Sequence, residues 1–203
     1  MNKPKLFVDF DGTIVNSIDA FCKVYHDWYS NNKDYKNPIP ENVYKWDLTC
    51  ECPLAKDNTE NIFGSSEFFY YLKPFSNAIE VLKKLKEKYQ IIIVSIGSYE
   101  NISNKSLYIQ DTFPFVDDFI GIVNRGSVMN KSCINMSGTI DENNVFLDDN
   151  ADSLLSVQCF NLIRYCYGDK RTEWNSKWLD MKGRQLRNWL EVEKELLKEN
   201  KRY

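Results

Sequence analysis

The chain has one histidine, no excess of basic residues and no apolar run of membrane-spanning length. Each shortage removes a class of function. A formal net charge of −3 leaves no basic footprint over the whole surface, which argues against nucleic acid as a partner. Without a long apolar run there is no candidate membrane helix. The six cysteines (Cys22, Cys50, Cys52, Cys133, Cys159 and Cys166) follow no disulfide framework spacing, and Met1-Asn2-Lys3-Pro4 leads straight into an apolar strand with no signal-peptide pattern. The expectation is reduced thiols in a cytoplasmic protein. Cys50-Glu51-Cys52 lacks a second ligand pair and His26 stands alone, which argues against zinc. Neither repeats nor low-complexity tracts are visible. A hydrophobic fraction of 43% and an aromatic fraction of 14% suffice for a sizeable core in 203 residues, enough for one core domain with a modest insertion.

What is present is organised around Leu6-Phe7-Val8-Asp9-Phe10-Asp11-Gly12-Thr13. An apolar strand with no polar alternation reads as buried on both faces, the pattern of a parallel sheet. Gly12 marks a sharp exit from that strand. Asp9 and Asp11 therefore sit at a carboxyl end, where open α/β sheets bind ligands. Two acids forced together repel each other unless a cation sits between them.

Along the chain, helical spacing of Phe21, Val24, Tyr25 and Trp28 predicts a helix over 19–30 with Ser17 as its cap. Ser65 and Ser66 offer a cap for a short helix carrying Phe68, Phe69 and Leu72. No convincing parallel strand occurs in 16–73, which reads as a helical insertion over the strand ends. A helix then starts at Ser76 or Asn77 and leads to Ile91-Ile92-Ile93-Val94-Ser95, a buried strand ending in Ser95-Ile96-Gly97. After a helix over 101–111 come strands at 119–123, 144–150 and 159–165, the second carrying Asp148-Asp149 at its end. The region 124–141, mostly loop, holds Arg125 and Lys131. From Trp174 the tail reads as one or two amphipathic helices whose apolar face is Leu186, Trp189, Leu190, Leu196 and Leu197. Such a face suits packing on the chain's own core or on a second copy, which leaves a homodimer open. The alternation predicts an α/β protein with a Rossmann-like doubly wound parallel sheet: core 1–15 and 74–203, helical cap 16–73.

Val8-Asp9-Phe10-Asp11-Gly12-Thr13 resembles the first motif of the haloacid dehalogenase superfamily, mostly Mg2+-dependent phosphatases. The order acid pair, hydroxyl (Ser95), lysine (Lys131), acid pair (Asp148 and Asp149) reproduces all four superfamily motifs. The resemblance implies a nucleophilic Asp9 and an acid–base Asp11. Phosphoryl transfer needs positive charge and donors around the transferred group. Ser95 and Lys131 supply them, while Asp9, Asp148, Asp149 and, by resemblance, the backbone carbonyl of Asp11 would hold Mg2+, the metal suited to an all-oxygen site. Which of Asp148 and Asp149 touches the metal stays open.

The stretch from Phe68-Phe69 through Pro74 to the Ile91 strand, with Asp148 to Asp152, is similar to the 5′(3′)-deoxyribonucleotidases. That resemblance implies hydrolysis of nucleoside monophosphates, with Trp46 stacking on the base, Tyr44 and Phe63 behind it. Arg125, Gly12, Thr13, Ile96 and Gly97 are the further substrate-contacting positions. Ser17 stands near a position that is aromatic in relatives, Ile96 replaces a hydroxyl, and Arg125 lies farther from Lys131 than usual. These departures leave base preference open. Two other readings are a phosphatase for nucleic-acid ends or another small phosphate ester, and a non-catalytic nucleotide-binding protein. The retained Asp9 and Asp11 weigh against the last.

Overall fold

Strands that are apolar on both faces must be covered above and below, and the helices are placed to do this. The computed structural model describes residues 3–124, 130–136, 143–157, 159 and 162–198. After β1 (Lys5–Asp9) comes a wholly helical stretch: α1 (Ser17–Tyr29), 3-10 turns at Pro40–Asn42, Leu48–Cys50 and Pro53–Ala55, α2 (Thr59–Gly64) and α3 (Ser66–Tyr71). The chain then runs through α4 (Ala78–Leu85), β2 (Gln90–Gly97), α5 (Tyr99–Thr112) and β3 (Asp118–Val123). A 3-10 turn at Ser132–Met136 precedes β4 (Val145–Asp148), α6 (Ala151–Ser156) and β5 (Ile163–Tyr167). Last come α7 (Glu173–Asp180), β6 (Gln185–Leu186) and α8 (Trp189–Leu196).

The six strands form one sheet in the order β3-β2-β1-β4-β5-β6, every pair parallel. The doubly wound fold is as the sequence predicts. Alternate residues of each strand feed two cores. Leu6, Val8, Ile91, Ile93, Val145 and Leu147 pack with α4, α5 and α8, whereas Phe7, Ile92, Val94 and Phe146 pack with α6 and α7. Each such side chain taken fully from water contributes roughly 1.5–3 kcal/mol before entropy is counted.

Several boundaries differ from the sequence reading. Asn16 caps α1, its side chain accepting from Asp19 N–H, and Ser17 is the first helical residue. Ser65 does cap α3. The fifth strand is Ile163–Tyr167, not 159–165. A sixth strand was not foreseen, because two residues are too short to show a period. Leu186 belongs to that strand, so it is not on the terminal helix. The helix begins at Trp189, capped by Asn188, and buries Trp189, Val192 and Leu196. Leu190 and Leu197 fall off this stripe and are 57% and 37% exposed, which corrects their assignment to the apolar face. Among the described residues no helix is long and apolar enough to cross a membrane.

Candidate active site

β1 ends where the chain doubles back. Gly12 takes φ +70°, a left-handed conformation costly for residues with a Cβ, and donates its N–H to Val15 O at 3.0 Å. A Cβ there would lie 2.3 Å from Asp149 Oδ2, so glycine also lets that carboxylate approach the loop. Sheet register does the rest. Asp9 pairs with Val94 and Val8 with Leu147, which puts Ser95 and Asp148 one step beyond those partners on neighbouring strands. β2 and β4 flank β1 on opposite sides and the winding reverses between β1 and β4, the position at which such sheets form a binding crevice.

Asp9, Asp148 and Asp149 each offer an oxygen, all within 4.8 Å of one another. Lys131 Nζ donates to Asp9 Oδ1 and, at 2.7 Å, to Asp148 Oδ2. Asp148 Oδ1 accepts from the backbone N–H of Asn150 at 2.8 Å. Burial pushes the Asp9 carboxyl up to about 7, with Lys131 opposing and Asp148 and Asp11 adding to the rise. Asp149 is raised well above its ordinary value by burial, then by Asp9 and Asp148. Asp148 is raised by burial against the pull of Lys131. Lys131 loses to burial but gains more from Asp148 and Asp9, and stays above the usual lysine range. Two buried carboxyls and one partly buried thus cluster around a single ammonium group that bonds two of them. An all-oxygen, charge-deficient cluster of this kind fits a hard divalent cation.

Asp11 stands apart from that cluster. Its Oδ2 accepts from Lys105 Nζ and from Ser95 Oγ at 3.3 Å, while its Oδ1 is buried with no partner. Lys105 is only 1% exposed and also donates to Ser95 Oγ at 2.9 Å and to Ile96 O at 3.3 Å. Sequence reasoning missed Lys105. The available signal was its place in the stripe Asn101, Lys105, Ile109, which α5 buries.

The family profile for 5′ nucleotidase, deoxy (pyrimidine), cytosolic type C protein matches residues 3–199. The chain belongs to this family. This makes it a member of a haloacid dehalogenase-type phosphatase family, and its fold is that of solved members of the superfamily. A candidate phosphoglycolate phosphatase from Lactobacillus delbrueckii subsp. bulgaricus superposes with TM-score 0.67 at 13% identity, covering 98% of this chain and 100% of that one. A haloacid dehalogenase-like hydrolase from Streptococcus pneumoniae gives TM-score 0.60 at 14% identity, covering 94% and 96%. YfnB from Bacillus subtilis, a haloacid dehalogenase-type protein whose structure is bound to magnesium, gives 0.60 at 15% identity, covering 98% and 100%. No curated protein matches the chain by sequence.

Of the positions singled out from sequence, this nucleotidase-family chain brings together Asp9, Asp11, Gly12, Ser95, Ile96, Lys131, Asp148 and Asp149. Thr13 is fully buried, its Oγ1 without a partner and its carbonyl accepting from Trp189 Nε1 at 3.1 Å. Gly97 lies tight against Asn101, whose Oδ1 would be 2.1 Å from an added Cβ. Trp46 is 60% exposed and meets Trp174 edge-on with centroids 6.4 Å apart. Trp174, a second residue unforeseen in this role, donates its indole N–H to Asp149 Oδ2 at 2.9 Å. Phe63 packs on Phe21 and Phe68 within the inserted helices. Arg125 lies outside the described residues.

Proposed function

We propose that the chain is a Mg2+-dependent 5′-nucleotidase that hydrolyses (deoxy)nucleoside monophosphates through an aspartyl phosphate on Asp9, as a cytoplasmic enzyme. The observation that carries this reading is the meeting of Asp9, Asp148 and Asp149, with oxygens within 4.8 Å of one another and Lys131 bonded to two of them. Both oxygens of Asp148 already bond Lys131 and Asn150, whereas no hydrogen bond among the described residues engages Asp149 Oδ1, which favours Asp149 as the acid that would hold the ion directly, with Asp9 and the Asp11 carbonyl. Mg2+ at that site would neutralise phosphoryl charge as it builds.

The residues divide the work. An Asp9 carboxylate oxygen attacks phosphorus while the bond to the leaving oxygen breaks. Asp11, steadied by Lys105 and Ser95, gives its proton to the departing alkoxide. It then takes a proton from the water that attacks the same phosphorus, releasing inorganic phosphate and restoring the Asp9 carboxylate. Lys131 supplies charge to the phosphoryl oxygens, and the Ser95 hydroxyl, turning from Asp11 while Lys105 keeps its hold there, donates its one proton to them. Residues 16–73 act as a cap over the strand ends, with core 1–15 and 74–203. The half-bare ring of Trp46 is the surface for the nucleobase, an aromatic face of the kind that stacks planar rings.

The test is phosphate release from a panel of deoxyribo- and ribonucleoside monophosphates with Mg2+ or with chelator. Mg2+-dependent turnover is expected, and Asp9→Asn should fold normally yet lose at least about a thousandfold in kcat. An inert panel, or an active Asp9→Asn, would refute the assignment.

A further inference from the structure

The start of α7 lies between the inserted helical segment and the carboxylate cluster. Thr172 and Asn175 form a reciprocal capping box there, which fixes the first turn and with it Trp174. The Trp174 ring faces two ways. Its indole N–H holds Asp149 Oδ2 at 2.9 Å, and the ring meets Trp46 in an edge-to-face contact. Two hydrogen bonds join the same pair of segments: Trp46 N–H donates to Glu173 Oε2 at 2.7 Å, and Glu173 N–H donates to Tyr44 O at 2.7 Å. Both Trp46 and Glu173 are exposed, so water competes for the first of these bonds. The 44–46 segment is therefore fastened by contacts that can open, and those contacts converge on the residue gripping Asp149.

We propose that Trp174 is a positioning residue that couples docking of the 44–46 segment to the orientation of the Asp149 carboxylate. This rests on the reading of Asp149 as a metal ligand. A donor behind a ligating carboxylate restricts its rotation and so prepares it for the ion. When Trp46 is docked, its ring limits the swing of Trp174, and Asp149 is held. When the segment lifts, Trp174 gains freedom and the carboxylate loosens. Coupling of this kind is reciprocal, so an ion at Asp149 must also favour the docked segment. A substrate seated against Trp46 would then tighten the metal, and the metal would tighten the substrate.

Trp174→Phe keeps a ring against Trp46 but deletes the indole N–H, and Glu173→Ala removes the acceptor for Trp46 N–H at a distance from the cluster. Mn2+ binding followed by electron paramagnetic resonance reads the ion directly. Indole N–H signals in a nitrogen–proton correlation spectrum, five in the wild type, read the latch. Trp174→Phe should melt within a few degrees of wild type while its Mn2+ Kd rises about tenfold. Glu173→Ala should raise it by a smaller factor, about two- to threefold. Adding Mg2+ should move the Trp174 and Trp46 signals in the wild type, and the Trp46 response should vanish in Trp174→Phe. Unchanged Mn2+ affinity in Trp174→Phe, or a Trp46 response that survives there, would overturn the coupling while leaving the nucleotidase reading intact. Wild-type protein that neither binds Mn2+ nor hydrolyses nucleotides would overturn both.

Discussion

Lys105 shows what one buried charge can accomplish. An ammonium group with 1% exposure is costly unless it is fully engaged, and this one bonds Asp11, Ser95 and the Ile96 carbonyl. Its anchoring of Asp11 Oδ2 leaves Oδ1 as the oxygen without a protein partner. In Lys105→Met the apolar stem is kept and the anchor lost, so Asp11 retains only the 3.3 Å contact from Ser95. With an alkyl phosphate substrate, kcat should fall about 10- to 100-fold, a part of what a general acid–base contributes, with KM changed less than about threefold. A raised KM with kcat little changed would instead indicate that Lys105 binds substrate. Asp9, Asp11, Ser95, Lys131, Asp148 and Asp149 were legible because each ends or follows an apolar strand in a fixed order. Lys105 was not, because a lysine inside a polar helix looks like any solvated lysine until packing shows which face is buried.

At the level of elements, α8 supports the site from behind. Trp189, its first residue, is buried against Tyr167 and donates its indole N–H to Thr13 O at 3.1 Å. It thus braces the loop that carries Asp11 and Gly12. Trp189→Phe fills part of the space but leaves the Thr13 carbonyl unpaired. Urea denaturation should show a loss of about 1–3 kcal/mol with an unchanged slope. A loss well below that range would mean the bond contributes little. The strands and most helices were readable from apolar runs and periodicity, and the cap at Ser65 from a hydroxyl placed before a helical stretch. β6 and the true face of α8 were not, because the terminal leucines Leu190 and Leu197 fit a helical pattern that the packing does not use.

For the whole molecule, the carboxylate cluster makes stability depend on both pH and cation. In the folded chain Asp9, Asp148 and Asp149 hold protons more tightly than in the unfolded chain, over a window from 3.8 to about 7 for Asp9. The folded state therefore binds more protons in that window, and stability in chelator should fall as pH rises through it. Mg2+ should offset the loss, so the Tm gain on adding it should be larger at about pH 7.5 than at about pH 5. Melting curves with EDTA and with Mg2+ test this, and a gain independent of pH would contradict it. Asp149→Asn should flatten the dependence.

The sequence by itself determined the class of fold and the inventory of chemistry. Buried parallel strands need unbroken apolar runs, and acids placed at their ends necessarily share one edge of the sheet. Only the tertiary structure decided which groups meet. It aligned Asp9 with Asp148 through register, turned a helix so that Lys105 reaches Asp11, and carried Trp174 across the fold to Asp149 and Trp46. Contacts between residues far apart in the chain depend on strand order and helix rotation, and neither leaves a local trace in the amino acids themselves.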